Sequence, residues 1–337
     1  MTDVLVVGGG PVGLASAIEA RLAGFEVTLI EQRAGAIDKA CGEGLMPGAL
    51  PLLHRLGVDP EGMPLRGVSY RQGSIVADHR FAGNPGRGVR RTTLHDALSA
   101  RAERIGITRV EGHVTAVDQT ADSVSANGIT ARWMLAADGL HSTVRRVAGL
   151  ELPVARRERR FGIRQHFAVD PWSDLIEVHW GRSVEAYVTP VGPGQVGIAM
   201  LAPQGTDFHA ALAEIPELEA RLAGAQAMSS MRGAGPFGQR ARRPSAGRIH
   251  LIGDASGYVD AITGEGLRLG LAQAHAAVAS LTGGPAYDRE WRRVTRDFRV
   301  LTRGLVGVAT SPARRAIVPL AHRLPGVYGA VVDRLAR

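Results

Sequence analysis

The feature that most constrains the fold is a glycine-rich turn between an apolar segment and a helix near the N-terminus. Residues 4–7 are a short run of valine and leucine, which is typical of a buried parallel strand. Gly8, Gly10 and Gly13 follow in the pattern G-x-G-x-x-G, and apolar residues then recur every four positions, as on one helix face. Residues 25–31 predict a second strand, which ends in an acid. This order of elements predicts a βαβ unit.

The residue types of this unit indicate a binding site for a dinucleotide. Glycines at a tight turn let a diphosphate approach the backbone, and the helix start offers N–H groups and about half a positive charge. Glu31 lies 18 residues after Gly13, where a carboxylate can accept hydrogen bonds from ribose hydroxyls. Because NAD and FAD share this pattern, the unit alone leaves both dinucleotides open.

Two later segments repeat the arrangement of an apolar strand, a turn with an acid and glycines, and a helix. The first strand covers residues 133–137 and the second covers residues 249–252. The acids and glycines that follow these strands are Asp138, Gly139, Gly253, Asp254, Gly264 and Gly266.

The three motifs, in this order, resemble those of the flavoprotein family that includes the group A aromatic hydroxylases (para-hydroxybenzoate hydroxylase-like) and the geranylgeranyl reductases. The resemblance implies FAD as the cofactor, with Asp254 on a ribityl hydroxyl and residues 263–266 beside the flavin pyrimidine. It also implies an arginine ligand on the helix near residue 94. The residues that the resemblance assigns to FAD are Gly8, Gly10, Gly13, Glu31, Arg33, Gly42, Arg91, Asp138, Gly253, Asp254, Gly264 and Gly266.

The family resemblance implies an α/β fold, in which a Rossmann-like FAD-binding domain carries an inserted antiparallel β-sheet substrate domain. Residues 1–65, 91–153 and 244–337 are predicted to form the discontinuous FAD-binding domain. Residues 66–90 and 154–243 contain short alternating segments separated by Gly, Pro and Asp, and they predict the substrate-binding sheet. Residues 206–225, within the second part, read as helical.

The candidate substrate residues are the polar and aromatic side chains of the predicted sheet, together with one cysteine. Strand alternation places Arg164 and His166 on one face of their strand. It places His179 and Trp180 on opposite faces of another strand. These candidates are Arg164, His166, His179, Trp180 and Tyr187. His166, Tyr187 and Cys41 are the candidate catalytic residues.

Cys41 is the only cysteine, so it excludes an internal disulfide and fits a reducing, cytoplasmic compartment. The resemblance places its loop, residues 38–48, beside the isoalloxazine ring. Gly42 is then backbone that must approach a flat ring closely. Three interpretations of the thiol remain open: a small packing residue near the flavin, a group that contacts the substrate or donates a proton, or a residue without a part in the site.

Three functions remain compatible with the motifs. The first is an NAD(P)H-dependent monooxygenase that uses O₂ and a flavin C4a-hydroperoxide to hydroxylate a phenolic or polyketide-like molecule of secondary metabolism. The second is a geranylgeranyl-reductase-like enzyme acting on alkene bonds of a lipid, which the T-G-E-G at 263–266 resembles. Residues 185–190 match the reductases' substrate motif only at Pro190, and hydroxylases usually have proline where Ala261 stands, so hydroxylation is favoured here. The third is a flavin-binding protein without turnover.

The basic composition does not indicate nucleic acid. Lys39 is the only lysine among 40 basic residues, and the arginines behind the net charge of +8 are scattered. The dense runs at 156–160 and 240–243 read as solvated turns. No apolar run approaches the roughly 18 residues of a membrane span, and the N-terminus lacks the features of a signal peptide. No His, Cys or carboxylate cluster has metal-ligand spacing. The oligomeric state stays open.

Overall fold

A computed structural model describes residues 2–154 and 160–337, so the arginine run at 156–160 lies outside the described residues except for Arg160. The strands are β1 (Thr2–Val7), β2 (Val27–Glu31), β3 (Gly44–Leu45), β4 (Met63–Leu65), β5 (Gly67–Gln72), β6 (Ile75–Arg80), β7 (Gly86–Gly88), β8 (Thr108–Glu111), β9 (Asp118–Gln119), β10 (Val124–Ala126), β11 (Ile129–Ala136), β12 (Glu151–Leu152), β13 (Phe161–Ala168), β14 (Ile176–Trp180), β15 (Glu185–Gly192), β16 (Gln195–Ala202), β17 (Gln226–Ala227), β18 (Arg232–Ala234), β19 (Gln239–Ala241), β20 (Ser245–Ala246), β21 (Ile249–Leu251) and β22 (Gly257–Tyr258). The α-helices are α1 (Pro11–Leu22), α2 (Leu50–Arg55), α3 (Arg91–Arg104), α4 (Thr143–Val147), α5 (Phe208–Leu212), α6 (Pro216–Arg221), α7 (Gly266–Leu281), α8 (Tyr287–Ala309), α9 (Ile317–Arg323) and α10 (Pro325–Ala336).

The first sheet has the strand order β20-β21-β11-β1-β2-β8, and β1 lies near its centre. Strand β1 pairs in parallel with both β2 and β11, with Val4 opposite Val27 on one side and Trp133 on the other. Burial on both sides explains why residues 4–7 are continuously apolar. The parallel sheet with its βαβ start confirms the predicted α/β fold class.

Helices cover one face of this sheet, and the small antiparallel strands β9 and β10 with helix α4 cover the other. The close packing of α1 against α7 depends on small residues. A Cβ added at Gly270 in α7 would lie 2.3 Å from a methyl group of Val12 in α1. Ala274 and Ala277 continue this fully buried face of α7. The alanine-rich sequence of α7 therefore sets the distance between the two helices that begin at the dinucleotide motifs.

The second sheet has the order β17-β13-β16-β15-β14-β5-β6, and its main strands are antiparallel except for the pair β14–β5. One face packs on α5 and α6. The helix predicted over 206–225 is broken into these two pieces because Pro216 starts the second one and disfavours helical backbone before it. The opposite face looks towards the first sheet and the C-terminal helices.

Helices α8, α9 and α10 pack on the second sheet as well as beside the first. Tyr328 in α10 donates a hydrogen bond to the Val68 carbonyl at 3.2 Å, and its ring lies 5.0 Å from that of Tyr70. The predicted division of the chain into two domains stays a prediction. Across the residues that the structure describes, no helix is both long and apolar enough to cross a bilayer.

Because His250 in β21 is buried, we expect the folded protein to lose stability in acid. Its ring lies between those of Trp133 and Tyr287, at centroid distances of 5.6 and 4.8 Å, and burial lowers its pKa from 6.5 to about 4. The unfolded chain takes up this proton at a higher pH than the folded protein does. Stability should therefore fall as the pH drops from about 6.5 to about 4, by about 3 kcal/mol in total.

Urea unfolding at pH 7.5 and 4.5 measures this contribution as a difference between two proteins. The variant His250→Phe keeps an aromatic ring in place and removes the titrating group. It should lose less stability than the parent over this pH interval. Equal losses in the two proteins would show that His250 is not the group responsible.

Candidate functional site

A cavity of about 450 Å³ lies where the carboxyl ends of the first sheet's strands meet the second sheet. Twelve of the fifteen residues predicted for the site line it. They are Gly8, Gly10, Glu31, Arg33, Cys41, Gly42, Arg91, Asp138, Tyr187, Asp254, Gly264 and Gly266. The other three are Gly13, His166 and Gly253, which lie outside the lining. The assignment of all fifteen residues as FAD ligands or catalytic residues stays a prediction.

The first glycine turn forms an open cradle at the start of α1. Gly8 has φ +101°, and a Cβ at Gly13 would lie 1.7 Å from the Gly8 carbonyl oxygen. A Cβ at Gly10 would meet nothing within 4 Å, although Gly10 lines the cavity. Gly8 and Gly13 are therefore required by the turn itself, whereas the space at Gly10 is available to a diphosphate.

The carboxylate of Glu31 is held at the edge of this turn. It accepts hydrogen bonds from the Gly9 N–H at 2.6 Å and from the Arg33 N–H at 3.0 Å, and the residue is only 7% exposed. These bonds fix the carboxylate at the end of β2. The Arg33 side chain is exposed at the cavity rim.

Unpaired polar atoms surround the middle of the cavity. Asp138 accepts from the Val144 N–H at 3.0 Å through one oxygen, while its other oxygen has no hydrogen-bond partner among the described residues. The buried Nε of Arg91 likewise has no partner among the described residues. Burial raises the pKa of Asp138 and of Asp254. Because buried polar groups are nearly always satisfied, these atoms fit a polar ligand that bonds to them.

Helix α7 points its N-terminus at the cavity. Gly264, with φ +70°, and Gly266 line the cavity at this end. A sixteen-residue helix carries a partial positive charge there, which favours an anionic ring or phosphate. Glu265 between them is buried and pairs with Arg268, and burial raises its pKa to about 7. The raised pKa limits how far Glu265 opposes the positive helix end.

The loop that contains Cys41 is fastened to the second sheet. Thr189 on β15 donates to the Gly42 carbonyl at 2.8 Å, and Arg164 on β13 forms an ion pair with Asp38. The Nε2 of His166 lies 2.6 Å from Glu43, and both side chains are almost fully buried. The loop therefore owes its position to three contacts with one face of the sheet.

Arg164 and His166 share that face, as strand alternation predicts, and Arg164 fixes the histidine ring. The Arg164 Nη1 lies 3.0 Å from His166 Nδ1. Since a guanidinium can only donate, Nδ1 accepts, and the ring hydrogen is on Nε2, which donates to Glu43. His166 thus supports the loop from behind and does not line the cavity.

Glu43 is a site residue that the sequence analysis did not find. Its second oxygen accepts from the Arg91 N–H at 2.8 Å, so it joins the Cys41 loop, β13 and α3. Its backbone has φ +59°, which is uncommon for a residue other than glycine. The available signal was an acid between Gly42 and Gly44, but its partner is 123 positions away in the sequence.

Cys41 faces the cavity with a half-buried side chain. The Glu43 N–H lies 3.4 Å from its sulfur and donates to it. The geometry is therefore compatible with packing and with proton donation by Cys41.

The second sheet presents a mainly aliphatic surface to the cavity, with Tyr70 beside it. The aliphatic contributors, with one neighbouring loop residue, are Val68, Ile176, Val178, Ala199, Leu201 and Ile262. The Tyr187 hydroxyl also reaches the cavity, but it donates to the Ile262 carbonyl at 2.8 Å, and burial raises its pKa far above the usual value. Tyr187 is therefore a neutral phenol already engaged in a hydrogen bond.

His179 and Trp180 lie on opposite faces of β14, as alternation predicts. His179 bonds to Glu177 at 2.9 Å on the face away from the cavity. Trp180 packs beside Tyr70 with ring centroids 5.5 Å apart, among the apolar residues of the cavity face. Neither residue lines the cavity.

An open glycine cradle, buried unpaired polar atoms and a helix N-terminus together fit FAD. Residues 1–283 match the FAD binding domain family, so this chain belongs to that family of flavoproteins. It is an FAD-dependent oxidoreductase, and the predicted superfamily of group A flavoprotein monooxygenases and geranylgeranyl reductases is confirmed.

Three relatives show the range of this family. A menaquinone reductase of Mycolicibacterium smegmatis is 30% identical over 85% of this chain and 78% of its own length. A digeranylgeranylglycerophospholipid reductase of Methanothermobacter thermautotrophicus is 27% identical over 88% of this chain and 82% of its own. A putative FAD-dependent monooxygenase of Bacillus subtilis is 31% identical, but over 60% of this chain and 57% of its own.

A solved structure extends the likeness to the whole fold. The flavoprotein/dehydrogenase of Cytophaga hutchinsonii superposes with a TM-score of 0.84 over 99% of this chain and 92% of that one. At 19% identity this similarity concerns the fold alone.

Proposed function

We propose that this protein is a reductase that adds two hydrogens across a carbon–carbon double bond of an isoprenoid lipid. The observation that carries the proposal is the aliphatic face of the second sheet over the cavity. Two of the hydroxyls that reach this region, from Thr189 and Tyr187, are already bonded to backbone carbonyls. A hydrocarbon chain can pack on the aliphatic side chains without leaving these two hydroxyls unpaired, and its burial there is favourable.

The relatives support the same direction. The two that match along more than three quarters of both chains are named as reductases, of menaquinone and of a digeranylgeranyl lipid. Both names denote molecules with isoprenoid chains. The putative monooxygenase matches a smaller part of this chain.

The chemistry that FAD supplies when bound is transfer of a hydride, and NAD(P)H as its electron donor is part of the proposal. The protein's share is to hold the chain, exclude water and provide the balancing proton. We assign Cys41 as the proton donor, because it faces the cavity and the reaction requires no other function of this residue. A proton from solvent then replaces the one that Cys41 has given to the substrate.

Replacing Cys41 with serine tests this assignment. Serine keeps the size of the side chain but is a far weaker acid, so turnover should fall about 10²-fold or more, as for loss of a general acid. The flavin spectrum and the melting temperature should be unchanged. Full activity in Cys41→Ser would make the residue a packing residue only.

Hydroxylation of a phenolic or polyketide-like molecule, with O₂ as co-substrate, is the second candidate. The observation that favours it is the similarity to the putative monooxygenase. A flavin-binding protein without turnover is the third. A cytoplasmic location also belongs to the proposal, and its basis is the single cysteine.

Product analysis separates the three candidates. The FAD-loaded protein would be incubated with NADH or NADPH and either a geranylgeranyl lipid or a panel of phenols, with and without O₂. The reductase gives a product heavier by two hydrogen atoms without O₂. A product that gains one oxygen atom, and only in air, would establish the hydroxylase. If no substrate gave a product, the flavin-binding protein without turnover would be the remaining candidate.

A further inference from the structure

Although arginines occur along the whole chain, the excess of positive over negative charge lies almost entirely in the last fifty-one residues. Residues 287–337 contain eleven arginines and four acids, which gives +7 of the total formal charge of +8. The rest of the chain is close to neutral. A net positive charge of this size within one segment requires an explanation, whereas the arginines elsewhere are nearly balanced by acids.

The same segment exposes large apolar side chains. Six of the ten exposed large apolar residues of the described chain lie in it, and the other four are scattered over the rest. The six are Val300, Val308, Leu320, Leu324, Val327 and Val331, which we call the C-terminal apolar residues. Val300 and Val327 are 62% and 63% exposed. Single exposed apolar residues are ordinary, but a group in one segment marks an interaction surface.

An ion pair shows that exposed residues of helices α8 and α10 lie side by side. Arg334 of α10 pairs with Asp297 of α8. Val300 lies three positions after Asp297, and Val331 lies three positions before Arg334, so each valine is on the same helix face as its charged neighbour. Helices α8 and α10 therefore contribute to one surface.

This surface continues into the cavity along α10. Val331 is exposed, while Leu335, four positions later on the same side of the helix, lines the cavity with Val332. An apolar molecule that leaves the surface thus meets apolar side chains on its way into the cavity.

We propose that the C-terminal apolar residues and their flanking arginines dock on the surface of an anionic lipid bilayer, with the helices lying in the interface. Apolar side chains facing the acyl boundary and arginines facing headgroups are the combination that such surfaces bind. A second copy of this chain is a poorer occupant, because a two-fold interface would bring two segments of +7 together. The inference goes beyond the proposed reaction and does not depend on it.

Vesicle sedimentation with the FAD-loaded protein tests the proposal. Vesicles of phosphatidylcholine alone should bind little, vesicles that also contain phosphatidylglycerol should bind strongly, and added salt should weaken the binding. The double variant Val300→Ser/Val327→Ser should lower the partition about tenfold or more. Arg315→Glu and Arg323→Glu should each lower it roughly fivefold or more.

Leu22→Ser is the matched control, since Leu22 is 50% exposed and lies outside the segment. It should bind as the parent does, and all variants should keep the parent's flavin content and melting temperature. Absence of binding, equal binding to neutral and anionic vesicles, or equal loss in Leu22→Ser would overturn the proposal. So would a dimer in solution that Val300→Ser/Val327→Ser dissociates. Activity on a short, dispersed alkene is measured separately, so failure of the proposed reaction would be distinguishable.

Discussion

Replacing Glu43 with alanine is expected to lower the free energy of unfolding by about 3–5 kcal/mol. The substitution leaves the buried His166 Nε2–H and the Arg91 N–H without their acceptor. An unpaired buried group costs far more than the net gain from making the bond. Urea unfolding at pH 7.5 measures the loss, and the turnover of the folded fraction should also fall because the Cys41 loop is released.

A second buried substitution and a surface pair serve as controls. The double variant Glu43→Met/His166→Leu removes both polar partners and should recover part of the loss, since replacing a buried pair by apolar residues is often nearly neutral. Asp59→Ala breaks surface contacts of this carboxylate with His54, at 3.0 Å, and with Arg87, and it should cost at most about 1 kcal/mol. If Glu43→Ala were as mild as Asp59→Ala, the pair would not hold the loop.

The second large effect is expected at the first glycine turn, where two similar substitutions should have different consequences. Gly13→Ala would place a Cβ 1.7 Å from the Gly8 carbonyl oxygen, so the turn must distort. The apoprotein of Gly13→Ala should be strongly destabilised, and FAD binding should be lost.

Gly10→Ala should keep the fold and weaken the binding of FAD. No atom lies within 4 Å of the added Cβ, and the Gly10 backbone is in the extended region that alanine adopts. The methyl group instead occupies the space assigned to the diphosphate, and FAD affinity should fall about tenfold or more, or about 1.4 kcal/mol. Melting of the apoproteins and flavin titration give the two readouts. A stable Gly13→Ala, or full FAD affinity in Gly10→Ala, would contradict the assignment of the turn.

The cofactor side of the cavity was predictable because its signals are local. The strand, the glycine spacing and the terminal acid at residues 4–31 each restrict the backbone within one βαβ unit. The same strand–turn–helix pattern recurs twice later in the sequence. It predicts Asp138, Asp254, Gly264 and Gly266, which line the same cavity.

The substrate side could be predicted only in part. Alternation placed Arg164 and His166 on one face, but the face that meets the cavity depends on how two sheets pack. His166 is a candidate catalytic residue from the sequence, and in the structure it lies behind Glu43, in contact with a loop 123 positions earlier. Such pairing across the chain leaves no periodicity in the sequence. The aliphatic lining, which favours reduction over hydroxylation, also depends on how the two sheets pack and could not be read from the sequence.

The most direct test of the proposed reduction is a rapid-mixing measurement of flavin reoxidation. The FAD-loaded protein is reduced without O₂ and mixed with either a geranylgeranyl lipid or air-saturated buffer, while flavin absorbance is followed. The proposed reduction predicts fast reoxidation by the alkene lipid, slow reoxidation by O₂, and a saturated product. Fast reoxidation by O₂ that a phenol accelerates, with oxygen in the product and no response to the lipid, would contradict it.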